Sequence, residues 1–568
     1  MSGLLGNIAR LLRPKGRSVG GRPADQPDWS ALIDAQPELW AQARERAKRG
    51  PRVLIATNVG GHVPVNIMES FLAVALTWRG ASVTTLLCDG VLPGCLKAEH
   101  VDLPDPEDIA ERRLPQKLCA SCRWRGEASV QDLGTDVVRI GALLDESQKL
   151  EARRIADTIP VHQIADYRYE GLAVGEHALA GALRYYARGD LARERQGEAV
   201  LRRYLEAALL SVHATRRVIR ERKIEIAVFH HGLYVPQGIV GEVCRSMGVK
   251  VVNWFVSYRT STFLFSHGDT YHHTLMTEPT DIWESMPWGD GSRRAITDYL
   301  KSRWYGTRDW ISFHEKPDTE FPAFAQSVGI DFDKPIIGLL TNVVWDAQLH
   351  YPANAFPNMI DWILKTITYF AKRPELQLLI RVHPAEIRGT VRSRQPIVDE
   401  ISAAFPTLPP NVFVIGPESP VSTYAAMERC DSVIIYGTKT GVELTSVGIP
   451  TIVAGEAWIR NKGLTHDAAS EGEYFRILAR LPFGRRLDAA AVDRALRYAF
   501  HFFFRRMIPL PFMRPTGRSN LYMPAVERLS DLDPNRFPGL DVICEGILRG
   551  APFVYPSEKI DIREGSAA

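Results

Sequence analysis

SVIIYGTKTGVELTSVGIPTIVAGE, residues 432–456, reads as strand, tight turn, short helix and second strand. The β-branched runs at 432–436 and 451–454 are apolar, and Gly448 and Pro450 stop the helix between them. Such a β-α-β unit is the building block of a parallel sheet. The turn crowds Gly437, Thr438, Lys439, Thr440 and Gly441 together. Thr440 stands three residues before Glu443, the spacing of a capping box. A helix amino terminus presents free N–H groups and partial positive charge, which suit phosphate oxygens. Lys439 would add a full charge and Thr438 a hydroxyl. The plainer alternative is that the threonines and Glu443 only cap the helix and Lys439 is solvated. Walker A spacing is absent.

The same grammar extends outward. Strands are predicted over 336–341, 376–382 and 412–415, with a helix over 358–370, so that 326–487 forms a doubly wound domain. Earlier, PRVLIATNVGGH (51–62) predicts a strand and a glycine turn; a helix follows from Pro64 to Arg79, then a strand in ASVTTLLCDG (81–90). KIEIAVFHHGLYVPQGIVGEVCRSMGVKVVNWF (223–255) repeats the pattern. A first Rossmann-like domain is therefore expected over 50–325, with a charged helical insertion over about 145–222 and a cysteine-rich loop over 88–122. Residues 1–49 read as a basic tail and linker, and 488–568 as a helix followed by extended chain. The expected fold is α/β, with two facing doubly wound Rossmann-like domains.

A chain of 568 residues favours two large domains, and 45% hydrophobic with 24% charged residues is ordinary for a globular enzyme. A net charge of +3 without a dense basic run argues against nucleic acid as a partner. No stretch approaches the ~20 apolar residues of a membrane-spanning helix. The amino terminus lacks the long apolar core of a signal peptide, which points to the cytoplasm. It does align Leu4, Leu5, Ile8, Leu11 and Leu12 beside Arg10, Arg13, Lys15 and Arg17. That stretch is either a weak interfacial anchor at the inner face of the cytoplasmic membrane or a frayed basic tail.

Ligands of open α/β sheets bind beyond the carboxyl ends of the strands. LLTNVVWDAQLH places Thr341 and Asn342 at one such end, with Trp345 and Asp346 after them. LLIRVHPAE places Arg381, His383 and Glu386 at another, and proline holds the histidine in extended backbone. GPESPVSTYAAM offers Ser419, Ser422 and Thr423 where a helix begins. Together with Thr438, Lys439, Thr440 and Glu443, these ends describe a nucleotide-phosphate site.

RVHPAE (381–386), SPVSTY (419–424) and YGTKTGVELTSVGIPTIVAGEAWIRNKG (436–463) resemble the bacterial capsular polysaccharide biosynthesis proteins, which are GT-B-type sugar transferases. The resemblance covers 336–465 best and is looser before it. It implies a GT-B arrangement and a glycosyltransferase. The enzyme would move a sugar from a nucleotide-sugar donor, its substrate, to a hydroxyl of a surface or lipid-linked glycan, without a catalytic metal. In related enzymes, several of which use CMP-activated acidic sugars, a His-Pro motif and a later Ser/Thr motif bind the nucleotide and its phosphate. Here these map to His383 and Pro384, and to Ser422 and Thr423. A nucleotide-sugar epimerase of similar shape and a silent glycan- or nucleotide-binding component of an assembly complex are the alternatives.

The first domain would hold the acceptor and a general base, for which His, Asp or Glu qualifies. NVGGH offers His62, and FHHGLYVPQG offers His230 and His231, of which strand alternation would turn only one toward the ligand. His62 and His231 are the candidates. His267, Asp269, His272 and His273 are further candidate acceptor contacts, though a packed strand would explain part of them. Cys88, Cys95 and the Cys-x-x-Cys pair Cys119 and Cys122 have the makings of a four-thiolate structural zinc site. An iron–sulfur cluster, a redox disulfide and four reduced thiols are the alternatives. Cys244, Cys430 and Cys544 are isolated and read as core residues.

Overall fold

β1, Arg52–Asn58, is buried along all but its first residue, as its unbroken apolar run requires in a parallel sheet covered on both faces. In this computed structural model the described residues are 23–559, except 113, 306, 312–317, 319, 347–351 and 518–519. The amphipathic stretch at residues 4–17 lies outside them. Among the described residues no helix is long and apolar enough to cross a membrane.

The first sheet continues through β2 (Ser82–Leu87), β3 (Asp136–Arg139), β4 (Ile226–His230), β5 (Lys250–Val256) and β6 (Thr262–His267). The second is β7 (Ile336–Leu340), β8 (Gln377–Arg381), β9 (Val412–Ile415), β10 (Ser432–Ile435), β11 (Thr451–Val453) and β12 (His466–Asp467). A short β13, Ile508–Pro509, returns to the first sheet. Spatial orders are β13-β6-β5-β4-β1-β2-β3 and β12-β11-β10-β7-β8-β9. The second sheet is parallel throughout, while at the edge of the first β6 runs antiparallel to β5 and β13 antiparallel to β6. The expected α/β fold of two doubly wound, Rossmann-like sheets is present.

The side on which successive strands are added reverses between the parallel neighbours β1 and β4 in the first sheet and between β7 and β10 in the second. These are the topological switch points, where the loops part and leave a crevice. Local sequence sets the elements around them. Pro64 lies in the first turn of helix Val63–Trp78, and Gly80, at φ +91°, takes the left-handed turn beyond its end. Asn358 caps helix Met359–Phe370 by accepting the Asp361 N–H at 2.8 Å. The charged stretch over 145–222 forms helices Glu146–Thr158, Val174–Tyr186 and Gly197–Arg222, the first opened by a capping box between Asp145 and Gln148.

β3, β12 and β13 lie outside the strands expected from sequence, and β6 takes in His267, for which a packed strand is the alternative reading. β3 has one buried residue in four, so its sequence lacks a strand signature. The carboxyl-terminal stretch crosses back to the first domain. Helix Pro538–Arg549 contributes Leu540, Ile543 and Ile547 to the core that holds Val53, Val83 and Trp254.

Candidate functional site

At the second switch point, Thr341 and Asn342 follow β7, His383 follows β8, and Gly437 to Lys439 follow β10. The loops are laced together. Thr341 Oγ1 accepts the His383 N–H at 3.0 Å, and Asn342 Oδ1 accepts the Gly437 N–H at 3.4 Å. His383 Nδ1 accepts the Ala385 N–H at 3.1 Å, so the ring proton belongs on Nε2 and the histidine is a donor there. Burial, with Lys439 and then Arg381 nearby, holds His383 at about 4, so the ring is neutral at pH 7.

The expected capping box does not form. Helix Thr440–Ser446 has Lys439 at its cap position without a side-chain bond, and Thr440 is already helical. Glu443 is 5% exposed and is drawn inward instead. It accepts the Tyr424 hydroxyl at 2.6 Å and pairs with Arg303 at 3.1 Å and Lys439 at 3.1 Å. Thr438 takes over part of the capping, accepting the Thr440 N–H at 3.3 Å. Lys439 also lies 4.8 Å from the centre of the Tyr258 ring, which comes from the first domain.

Other sequence candidates have structural partners. Arg381 is 1% exposed. Its guanidinium donates to the Gly416 carbonyl, to the Ser419 carbonyl at 3.2 Å and to Thr423 Oγ1 at 3.4 Å, which ties β8 to the loop after β9. Ser422 caps helix Thr423–Glu428 through the Ala425 N–H. These groups shape the loops around His383 and Lys439.

At the first switch point, His62 precedes helix Val63–Trp78, while His230 ends β4. Strand alternation does not separate His230 from His231, because His231 has left the strand at φ +63°. The ring of His230 is 5.5 Å from those of both His62 and His231. The Nδ1 atoms of all three are buried with no hydrogen-bond partner among the described residues. Burial and Arg184 hold His62 at about 3; burial, His272 and Arg184 do the same for His231. Behind them, Glu69 accepts the Trp254 indole N–H at 3.0 Å, and burial raises its carboxyl to about 7.

The two switch points meet. Tyr234, three residues beyond His231, donates its hydroxyl to Asp346 Oδ1 at 3.0 Å. Alongside, Trp458 Nε1 donates to His272 Nδ1 at 2.9 Å, and His273 sits 3.0 Å from Asp269 and 3.4 Å from Glu456. Hydrogen bonds to these two carboxylates raise His273 to about 10. His267 lies elsewhere, stacked on Phe553. Sequence reading missed Tyr234, Tyr258, Glu456 and Trp458. The only signal for the last two was their position directly after the strand that closes the opening stretch.

The zinc expectation is not met. Among the described residues no group of three or more His, Cys, Asp or Glu side chains is arranged to hold a metal ion. Cys119 and Cys122 are one turn apart on helix Gln116–Ala128, but Cys119 faces Gly90 and Cys122 faces Gly61.

No family model and no curated protein matches the chain. Solved structures with a similar fold include the Thermosulfurimonas dismutans KpsC beta Kdo 2,7 transferase, at 12% identity over 56% of this chain and 88% of that one, with a TM-score of 0.31. Neisseria meningitidis UDP-GlcNAc 2-epimerase bound to UDP-GlcNAc matches at 9% identity over 78% of this chain and 94% of its own, with a TM-score of 0.22. The S. aureus MnaA–UDP structure matches at 9% identity over 88% and 96%, with a TM-score of 0.27. Likenesses this low carry nothing about the chemistry of this chain, which rests on its own geometry.

Proposed function

We propose that the chain is a glycosyltransferase that moves a sugar from a nucleotide-sugar donor to a hydroxyl of a surface or capsular polysaccharide precursor. The observation that carries this reading is the apposition of the two switch points, joined by the Tyr234–Asp346 bond, each a place where an open α/β sheet leaves a crevice. One crevice is lined by donors and a cation, the other by neutral histidines. Such a pair suits an anionic activated group on one wall and a nucleophilic hydroxyl on the other.

In this reading the donor phosphates lie against the Nε2–H of His383, the ammonium of Lys439, the hydroxyls of Thr341, Thr438 and Thr440, and Asn342. Arg381, Ser422, Thr423 and Glu443 position those groups. Charge building on the leaving phosphate is stabilised by fixed donors in a water-poor crevice. His62 or His231 accepts the acceptor proton. A ring held at about 3 is a weak base, but the negative charge of a bound donor raises it toward the working range. Nucleotide-sugar epimerisation is the second reading, favoured by the Asp346 and Glu456 carboxylates between the lobes.

The test is a thermal-shift screen of nucleoside mono- and diphosphates, followed by incubation with nucleotide sugars. A ligand at 100 times its Kd adds about 2.7 kcal/mol of stability. His383→Ala and Lys439→Ala each remove a hydrogen bond to a charged group worth about 1.5–3 kcal/mol, so the Kd rises roughly tenfold or more. Nucleotide released only when an acceptor is present supports transfer, and an altered sugar still on its nucleotide supports epimerisation. An unchanged shift in both variants removes the donor site from the second switch point.

A further inference from the structure

The two lobes meet along seams of different character. On one face of the second sheet, Ile336 and Val433 share a single apolar core with Leu264, Tyr271 and Trp283 from the first lobe, and Phe502, on the chain's way back to β13, joins it. The opposite face, lined by Ile337 and Leu339, packs on Ile397 and Ile401 in a core of its own. Residues 393–395, just before that Ile397, make the second seam, and it is polar.

Helix Val174–Tyr186 ends at Ala187, held at φ +54°, a costly conformation for a residue with a Cβ. The Arg394 N–H donates to the Ala187 carbonyl at 2.9 Å, and Arg188 Nη1 donates to the Arg394 carbonyl at 3.1 Å. The Gly189 N–H donates to Gln395 Oε1 at 2.8 Å, and Gln395 Nε2 donates to Asp190 Oδ2 at 2.8 Å. Glu194 pins the seam. Its carboxylate, 7% exposed, pairs with Arg188 of its own lobe at 3.2 Å and with Arg394 of the other at 3.0 Å. A cavity of about 160 Å³, lined by Gly189, Asp190, Gln395, Val344 and Met359, keeps this side from close packing.

The same segment is fastened to the loop of His383. The Ser393 N–H donates to the Glu386 carbonyl at 2.8 Å, and the Ile397 N–H to Glu386 Oε1 at 3.2 Å. Glu386 in turn donates its own N–H to the His383 carbonyl at 3.1 Å. Parting the apolar seam would expose its core to water, whereas the groups of the polar seam find replacement partners in water. The first is therefore built to hold and the second to let go.

We propose that residues 393–395 and Glu194 form a latch across the cleft, opposite an apolar hinge, and that its release opens the cleft. The loop of His383 moves with the latch through Glu386. The latch is independent of the glycosyltransferase reading, because its test measures opening rather than turnover.

Hydrogen exchange on the full-length protein without ligand is the test, read on peptides covering 186–190 and 393–397. The Gly189 and Arg394 amides have their acceptors across the seam, so both should exchange through one opening and faster than β7 and β8. Glu194→Ala and Arg394→Ala each break the shared ion pair and should speed both peptides roughly tenfold or more, with β7 and β8 unchanged. Small-angle scattering should give each variant a larger radius of gyration than the wild type. Wild-type protection of the two peptides equal to that of β7 and β8 would overturn the proposal, as would peptides that respond to the variants separately. An unchanged radius of gyration would reduce the latch to a local contact and overturn it too. The variants alter opposite lobes, and the wild-type exchange decides the matter even if neither folds.

Discussion

Glu443 shows how one side chain changes meaning between sequence and fold. Burial alone would raise its carboxyl, but Arg303 and Lys439 outweigh burial and hold it at about 2, against an ordinary value of 4.5. A depressed carboxyl contributes stability that is fully present above 4.5 and is lost as pH falls toward 2. Urea unfolding at descending pH should show that loss, and Glu443→Gln should flatten it. Glu443→Ala leaves Arg303 and Lys439 without their shared carboxylate and should cost about 3–5 kcal/mol, the range for breaking a buried pair from one side. A change within error at pH 7 would mean that the network contributes little.

Among the elements, the glycine turn after β1 and helix Gln116–Ala128 approach each other unusually closely. A Cβ on Gly60 would lie 2.4 Å from the Gly126 Cα and 2.8 Å from the Cys122 carbonyl oxygen. Neither contact involves a side chain that can swing away, so one element has to move. Gly60→Ala should lower stability by about 1–3 kcal/mol, the usual cost of overpacking, seen as a drop in Tm. The same displacement would shift His62, so activity should fall further than stability alone explains. The seven-residue helix Thr440–Ser446 is held differently. Its apolar residues Val442 and Leu444 belong to the core shared with Tyr498 and Phe502, which sets its position despite the absent capping box.

For the whole molecule, the chain's return to its first domain is decisive. Deleting residues 507–568 removes β13 and helix Pro538–Arg549, and with them Leu540, Ile543 and Ile547 from the core under β1. Leu540→Ala alone should cost about 2–5 kcal/mol. The deletion should unfold the first sheet while leaving the second, and hydrogen exchange resolved by segment would show this. Contact between the lobes carries its own pH signature. His273 pairs with Asp269 in its own domain and Glu456 in the other. Its value is raised from 6.5 to about 10, so the contribution is complete below 6.5 and lost as pH rises through 10. The radius of gyration should grow over that alkaline step in the wild type and show no such step in His273→Ala.

Much of this was legible in order of residues alone. The apolar runs of β1, β7, β8, β9 and β10 are local, and so are the glycine and proline stops between them, so the two doubly wound sheets and their polar strand ends follow from spacing. Three-dimensional packing decided what each polar residue does. Thr440 and Glu443 have capping-box spacing, yet Arg303, far away in sequence, draws the carboxylate inward. Arg381 looks like a phosphate ligand, yet carbonyls after β9 take its guanidinium. His230 and His231 look opposed, yet a left-handed residue brings their rings together. Local periodicity sets which face of an element is buried, because it depends on neighbours within a turn or a pleat. The partner of a buried charge or donor depends on which distant segment arrives beside it, and only the folded chain holds that information.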